Sequence, residues 1–186
     1  MPKPKLLDRD DTILFVIDPQ GSLMRMAMNS EAVIKAHNKI IKIAQVLKVP
    51  IVVSEHYPKG LGHIVPEIVE VLGDDYKPIE KEIFSAWGEP KIRDAIESHN
   101  RKTLLIVGIE THICILQTVT EAIAAGYDVY VMMDAISTRN KIEHEMAVET
   151  FKQLGAGLTT WESVTYQWMR HSKIPEFKQC LEIIKD

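Results

Sequence analysis

Apolar residues along the chain fall into two alternating rhythms. Short, unbroken runs rich in β-branched residues stand at 12–17, 51–53, 103–107 and 127–133, with a brief one at 158–160. Such runs are expected as strands covered on both faces, the condition of a parallel sheet. Residues 77–83 (KPIEKEI) alternate in charge and predict a short, edge-like strand. Between these runs the period changes to three and four. Val33, Ile34, His37, Ile40, Ile41, Ala44 and Leu47 mark a helix over 31–47, with Ser30 as its N-cap and Pro50 as its stop. Further helices are predicted at 66–72, at 89–99 with Pro90 near the first helical position, and at 112–126. Over 140–154, Ile142, Met146, Val148, Phe151 and Leu154 predict a buried stripe, and helices at 162–169 and 175–184 close the chain. The strict strand–helix alternation, without repeats or linker, predicts a single α/β domain over 1–186: one doubly wound, mostly parallel sheet flanked by helices.

Composition narrows the chemistry. In 186 residues, 46% are hydrophobic and 26% charged, which suits a globular chain with one core. The net charge of −4 gives no electrostatic footprint for nucleic acid. The lead MPKPKLLDRDD lacks the apolar stretch of a signal peptide, and no run approaches membrane-span length. Cys114 and Cys180 are too few for a disulfide scaffold and too far apart for a paired-cysteine motif, so reduced thiols in the cytoplasm are expected.

Candidate chemistry gathers at the ends of the predicted strands, where open α/β sheets form their ligand crevice. Asp18 closes the first strand. The second is followed by SEHYPKGLGHIVPEI, whose prolines and glycines argue against regular structure and which carries Glu55, His56, Tyr57 and His63. Imidazole and carboxylate suit zinc or iron, yet their spacing matches no compact ligand motif. Lys81 reads as a solvated strand residue. Cys114 follows the turn GIETH and opens a helix, where unpaired N–H groups and the helix dipole favour a thiolate and can hold an oxyanion.

Three separated stretches, VIDPQ, EKEIFSAW and VGIETHICIL, stand in an order and spacing that is specific, together with SEHYPKGLGHIVPEI and DAISTR. The chain resembles the isochorismatase-like cysteine hydrolases, the superfamily of nicotinamidase and N-carbamoylsarcosine amidase, and most of all the isochorismatase domain-containing branch. The resemblance implies a triad in which Cys114 is the nucleophile, Asp18 the base and proton carrier, and Lys81 the cation that keeps Cys114 ionised. It implies a cis peptide bond between Ile109 and Glu110, with the backbone N–H groups of Glu110 and Cys114 as oxyanion donors. Gln20, Glu55, His56, Tyr57, Phe84, Trp87 and Ile113 would then contact substrate.

The metal-binding nicotinamidases look like Asp-x-His after the second strand, whereas Ser54-Glu55-His56 stands here. A metal-independent hydrolase of a small amide or related acyl C–N substrate follows, without cofactor. A metal-dependent nicotinamidase using Glu55, His56 and His63 is a further alternative, as is an inactive binding or structural protein on the same fold. The resemblance also implies a homo-oligomer, for which Trp161, Tyr166, Trp168 and Met169 are candidate interface residues.

Overall fold

The computed structural model describes residues 5–186, so Pro2 and Pro4 of the predicted lead lie outside the described residues. Six strands, β1 (Thr12–Ile17), β2 (Ile51–His56), β3 (Ile79–Lys81), β4 (Thr103–Ile109), β5 (Asp128–Ser137) and β6 (Gly157–Thr159), form one sheet in the order β3-β2-β1-β4-β5-β6. Every neighbouring pair is parallel. The chain runs outward from β1 in one direction and from β4 in the other, so the β1–β4 seam is the switch point whose carboxyl end opens into a crevice.

Alternate residues of the central strands feed two cores, because side chains along a strand point to opposite faces. Leu14, Val16, Leu105 and Val107 pack under α2 (Ser30–Val46), α4 (Pro66–Leu72) and α8 (Trp161–Met169). Ile13, Phe15, Ile17, Leu104 and Ile106 pack under α5 (Pro90–Glu97), α6 (Leu116–Ala124) and α7 (Lys141–Leu154). Both faces are covered, which explains the unbroken apolar runs. Gly108, at φ +134°, is required at the seam: a Cβ there would stand 1.9 Å from the Ile17 carbonyl oxygen. Among the described residues no helix is long and apolar enough to cross a membrane.

Several local expectations are revised. Two short helices were not expected: α1 (Gly21–Met26), and α3 (Pro58–Leu61) within the loop predicted after the second strand, while α9 (Phe177–Lys185) closes the chain. Pro58 and Gly60 do not prevent α3. A proline at the first helical position gives up an N–H that would be unpaired anyway, and Gly60 leaves room for the Tyr57 ring, 2.3 Å from where a Cβ would lie. Asn29, not Ser30, precedes α2 as its N-cap. Asp134 does not end β5, because the ladder with β4 shifts register and resumes at Gly108↔Ile136. On α7 the buried positions are Ala147 and Phe151, whereas Ile142 and Met146 are 61% and 58% exposed. Trp168 and Met169 are core residues of α8, which removes them from the predicted interface.

Candidate active site

The crevice gathers its polar groups from three strand ends. After β1 the backbone enters the left-handed region at Asp18 (φ 50°), whose N–H donates to the Ser54 carbonyl at 3.2 Å. This turn aims the Asp18 carboxylate inward, where Ser54 Oγ donates to Oδ1 at 2.8 Å. Lys81 sits at the end of β3, in register with His56 of β2. Its Nζ lies 2.7 Å from Asp18 Oδ2, and both side chains are fully buried. The solvated lysine expected at this edge is therefore wrong. The ammonium also donates to the Ile83 and Phe84 carbonyls at 3.1 and 3.0 Å, and stands 3.5 Å from His56 Nδ1. A buried charge is tolerated only with such a set of partners.

Cys114 enters from β4. The Ile109–Glu110 peptide bond is cis, and Thr111–Ile115 form one wide π-helical turn before α6 begins. The Glu110 carbonyl accepts from the N–H groups of both Ile113 and Ile115. Cys114 Sγ lies 3.7 Å from Lys81 Nζ. Burial and then the Asp18 carboxylate push the Cys114 thiol up to about 12, against the pull of Lys81. These two influences oppose the resting thiolate that the resemblance implies.

The remaining predicted residues divide. His56 and Phe84 stand beside Lys81 with their rings 5.4 Å apart and Phe84 53% exposed, while the exposed Tyr57 ring packs over Gly60. Burial and the neighbouring Lys81 charge hold the His56 imidazole below its usual pKa. Ile113 lies half-buried within the cysteine turn. Gln20, Glu55 and Trp87 have other partners. Gln20 Nε2 donates to the His56 carbonyl at 3.0 Å and to that of Gly62, and its Oε1 accepts from the His56 N–H, so the amide fixes the end of β2. Glu55 points to the opposite face from His56, where its carboxylate accepts from the Ile64 N–H and the Tyr76 hydroxyl and meets His63 Nδ1 at 3.0 Å. Neighbouring residues of a strand cannot both turn toward one ion, which removes the geometric basis for a site built from Glu55 and His56. Among the described residues no group of three or more His, Cys, Asp or Glu is placed to hold a metal ion. The Trp87 ring packs edge-on against Tyr127 at 4.9 Å, beside Asn100 and Lys102, which precede β4 at the amino end of the sheet.

Sequence reading missed three contributors. Ser54, noted only for what it replaces, orients Asp18. Thr118 Oγ1 donates to the Cys114 carbonyl at 2.6 Å and accepts from the Ala86 N–H at 2.9 Å, tying the loop after β3 to the cysteine turn. Its position four residues after Cys114 is the signal, since threonine in a helix commonly bonds the carbonyl four residues back. Arg139 clamps Glu110, with Nε 2.9 Å from Oε1 and Nη2 3.3 Å from Oε2, and Thr138 Oγ1 donates to Oε1 at 3.0 Å. Burial alone would raise the Glu110 carboxyl; these donors outweigh it and hold it below its usual pKa.

Relatives carry the same architecture. Residues 12–163 match the isochorismatase domain model. Isochorismatase family protein 1A of Dictyostelium discoideum is 33% identical over 97% of this chain and 89% of its own. Isochorismatase domain-containing protein 2 of Xenopus laevis is 32% identical over 97% and 86%. The solved structure of MAR1 ribonuclease from Caenorhabditis elegans superposes with a TM-score of 0.92 at 31% identity, covering 98% of this chain and 93% of that one. With its parallel sheet, its switch-point crevice and relatives matched almost end to end, the chain belongs to the isochorismatase family of hydrolases.

Proposed function

We propose that the protein is a metal- and cofactor-independent cysteine hydrolase that cleaves a small amide or related acyl C–N bond, the whole of 1–186 acting as one domain in the cytoplasm. The observation that supports this most is the buried Asp18–Lys81–Cys114 cluster, with Lys81 Nζ 2.7 Å from Asp18 Oδ2 and 3.7 Å from Cys114 Sγ. Asp18 takes the thiol proton as Sγ attacks the acyl carbon, and Lys81 balances the negative charge created in the pocket. The backbone N–H groups of Glu110 and Cys114 receive the oxyanion of the tetrahedral adduct. As the C–N bond breaks, Asp18 passes its proton to the departing nitrogen, leaving a thioester on Cys114. Water then gives a proton to Asp18 and its oxygen to the acyl carbon. The C–S bond breaks, the acid leaves, and Sγ recovers its proton. In this reading His56, Phe84 and Ile113, with Tyr57 farther out, contact the substrate, and Gln20 and Glu55 act through the backbone they hold.

Ammonia release from a panel of small primary amides and N-carbamoyl compounds tests the reading, with Cys114→Ala as the blank. Turnover by the natural protein alone, with an acyl adduct on Cys114 by mass spectrometry, is expected. Amide turnover equal in both proteins would refute it, and RNA cleavage retained by Cys114→Ala would point to the activity for which the nematode relative is named. With an amide identified, Thr118→Val is expected to lower kcat about tenfold with KM little changed, as a small misplacement of the nucleophile does. Thr118→Ser, which keeps the hydroxyl, should restore the rate.

A further inference from the structure

Lys81 has more neighbours than protons. An ammonium carries three N–H bonds, and three oxygens hold them: Asp18 Oδ2 at 2.7 Å, and the Ile83 and Phe84 carbonyls at 3.1 and 3.0 Å. His56 Nδ1 at 3.5 Å and Cys114 Sγ at 3.7 Å are left at longer range from the same nitrogen. Imidazole and sulfur therefore lie no farther apart than the sum of those two distances. Charges so placed feel each other, because a mostly buried site screens them weakly. The imidazole is also held in place. Gln20 pins the His56 backbone through both its N–H and its carbonyl, and the Phe84 ring lies 5.4 Å from the imidazole. His56 is half-buried, so its protons exchange with solvent, whereas Cys114 is only 5% exposed.

We propose that His56 is the second cation of the nucleophile pocket: when Cys114 gives up its proton, the imidazole takes one from solvent, and the imidazolium balances the thiolate across Lys81. The need for it comes from the charges present. Asp18 and Lys81 cancel each other, so a thiolate adds one negative charge, and an imidazolium returns the pocket to neutrality. Groups on three strand ends face the imidazole. Lys81 of β3 opposes its protonation, whereas Asp18 after β1 and Glu82 after β3 favour it. Cys114, after β4, joins the favouring set once it is ionised. At rest, burial and Lys81 hold the imidazole below its usual pKa, so it is mostly neutral at pH 7. Two interacting groups titrate as a pair, and each of these makes the charge of the other easier to form. Histidine suits the part because its proton moves near neutrality; a glutamine of similar reach cannot take up charge. His56 acts here through charge alone, and proton delivery to the leaving nitrogen stays with Asp18. The inference rests on the hydrolase reading only for the use that turnover makes of the thiolate.

Modification of Cys114 by methyl methanethiosulfonate, a small thiolate-selective reagent, tests the proposal on the full chain by mass spectrometry. The ratio of Cys114 rates, natural protein over His56→Gln, is expected to be about tenfold at acid pH, the effect of roughly one pKa unit on the thiol. It should fall to near one at alkaline pH. Below its pKa the imidazole is charged and favours the thiolate; above it the neutral ring does no more than glutamine. The fall should follow one titration, with a midpoint that matches the His56 pKa read by imidazole NMR and lies below 6.5. The natural protein carries the same signature by itself. Its rate should flatten just above that midpoint and then rise again, where a lone thiol climbs steadily by about tenfold per pH unit. Cys180, buried on the other side of the sheet, should show no such ratio and reports unfolding separately. A ratio flat with pH, a midpoint away from the His56 pKa, or a natural profile without the bend would overturn the proposal. Amide turnover plays no part in the readout, so this test and that of the hydrolase reading can fail independently.

Discussion

Asp18→Asn is expected to bring the pH midpoint for alkylation of Cys114 down by about 1–3 units, while removing about 10²–10⁴-fold of turnover. The two effects have one cause. In the natural pocket the Asp18 carboxylate and the Lys81 ammonium already balance, so ionising Cys114 would leave a net negative charge in a largely buried space. Burial and Asp18 together therefore hold the thiol up to about 12. A neutral amide in place of the carboxylate leaves Lys81 unbalanced, and a thiolate then restores neutrality 3.7 Å away. The thiol becomes easier to ionise, yet no group remains to carry its proton to the leaving nitrogen. Iodoacetamide labelling followed by mass spectrometry reads the midpoint, with buried Cys180 as the internal control. A resting thiolate would give the opposite result for the natural protein: a midpoint well below that of Cys180. An Asp18→Asn midpoint that stays put or rises would show that Asp18 does not set the thiol's ionisation.

Lys81→Met is expected to destabilise the fold by about 3–5 kcal/mol, because it leaves the Asp18 carboxylate buried without its cation. The lysine also satisfies the Ile83 and Phe84 carbonyls, so the loop after β3 loses its anchor together with the charge balance. The double variant Asp18→Asn/Lys81→Met should be well more stable than the sum of the two single losses implies, since neither charge then stands alone. Urea unfolding followed by far-UV circular dichroism measures all three, with Cys114→Ala as a control. Removing the small, uncharged thiol should cost only about 1 kcal/mol while abolishing turnover. Additive losses across the double variant would mean that the 2.7 Å contact carries no coupling of its own.

Much of this protein is legible from neighbours along the chain. The apolar runs of β1 and β4, the periodicity of α2, and the turn that presents Cys114 are local patterns, because burial on both faces and helix amphipathicity are written at spacings of one to four residues. Order and spacing of VIDPQ, EKEIFSAW and VGIETHICIL sufficed to place Asp18, Lys81 and Cys114 in one family motif. What those residues are as chemical groups was decided by tertiary structure. Lys81 stands in an alternating charged strand that reads as solvated; its burial comes from Asp18 and from two loop carbonyls that no periodicity encodes. Glu55 and His56 are adjacent in sequence and both read as substrate contacts, with metal ligation as an alternative, yet the strand sends them to opposite faces. Ile142 and Met146 fit a helical stripe, but the sheet takes the stripe through Ala147 and Phe151 instead. The ionisation of Cys114 shows the same division most clearly. A helix start pulls the thiol pKa down, whereas burial together with the carboxylate from β1, brought close only by the sheet, pushes it up. Coulomb energy and desolvation depend on distance and burial, and for groups far apart in sequence those quantities exist only once the chain has folded.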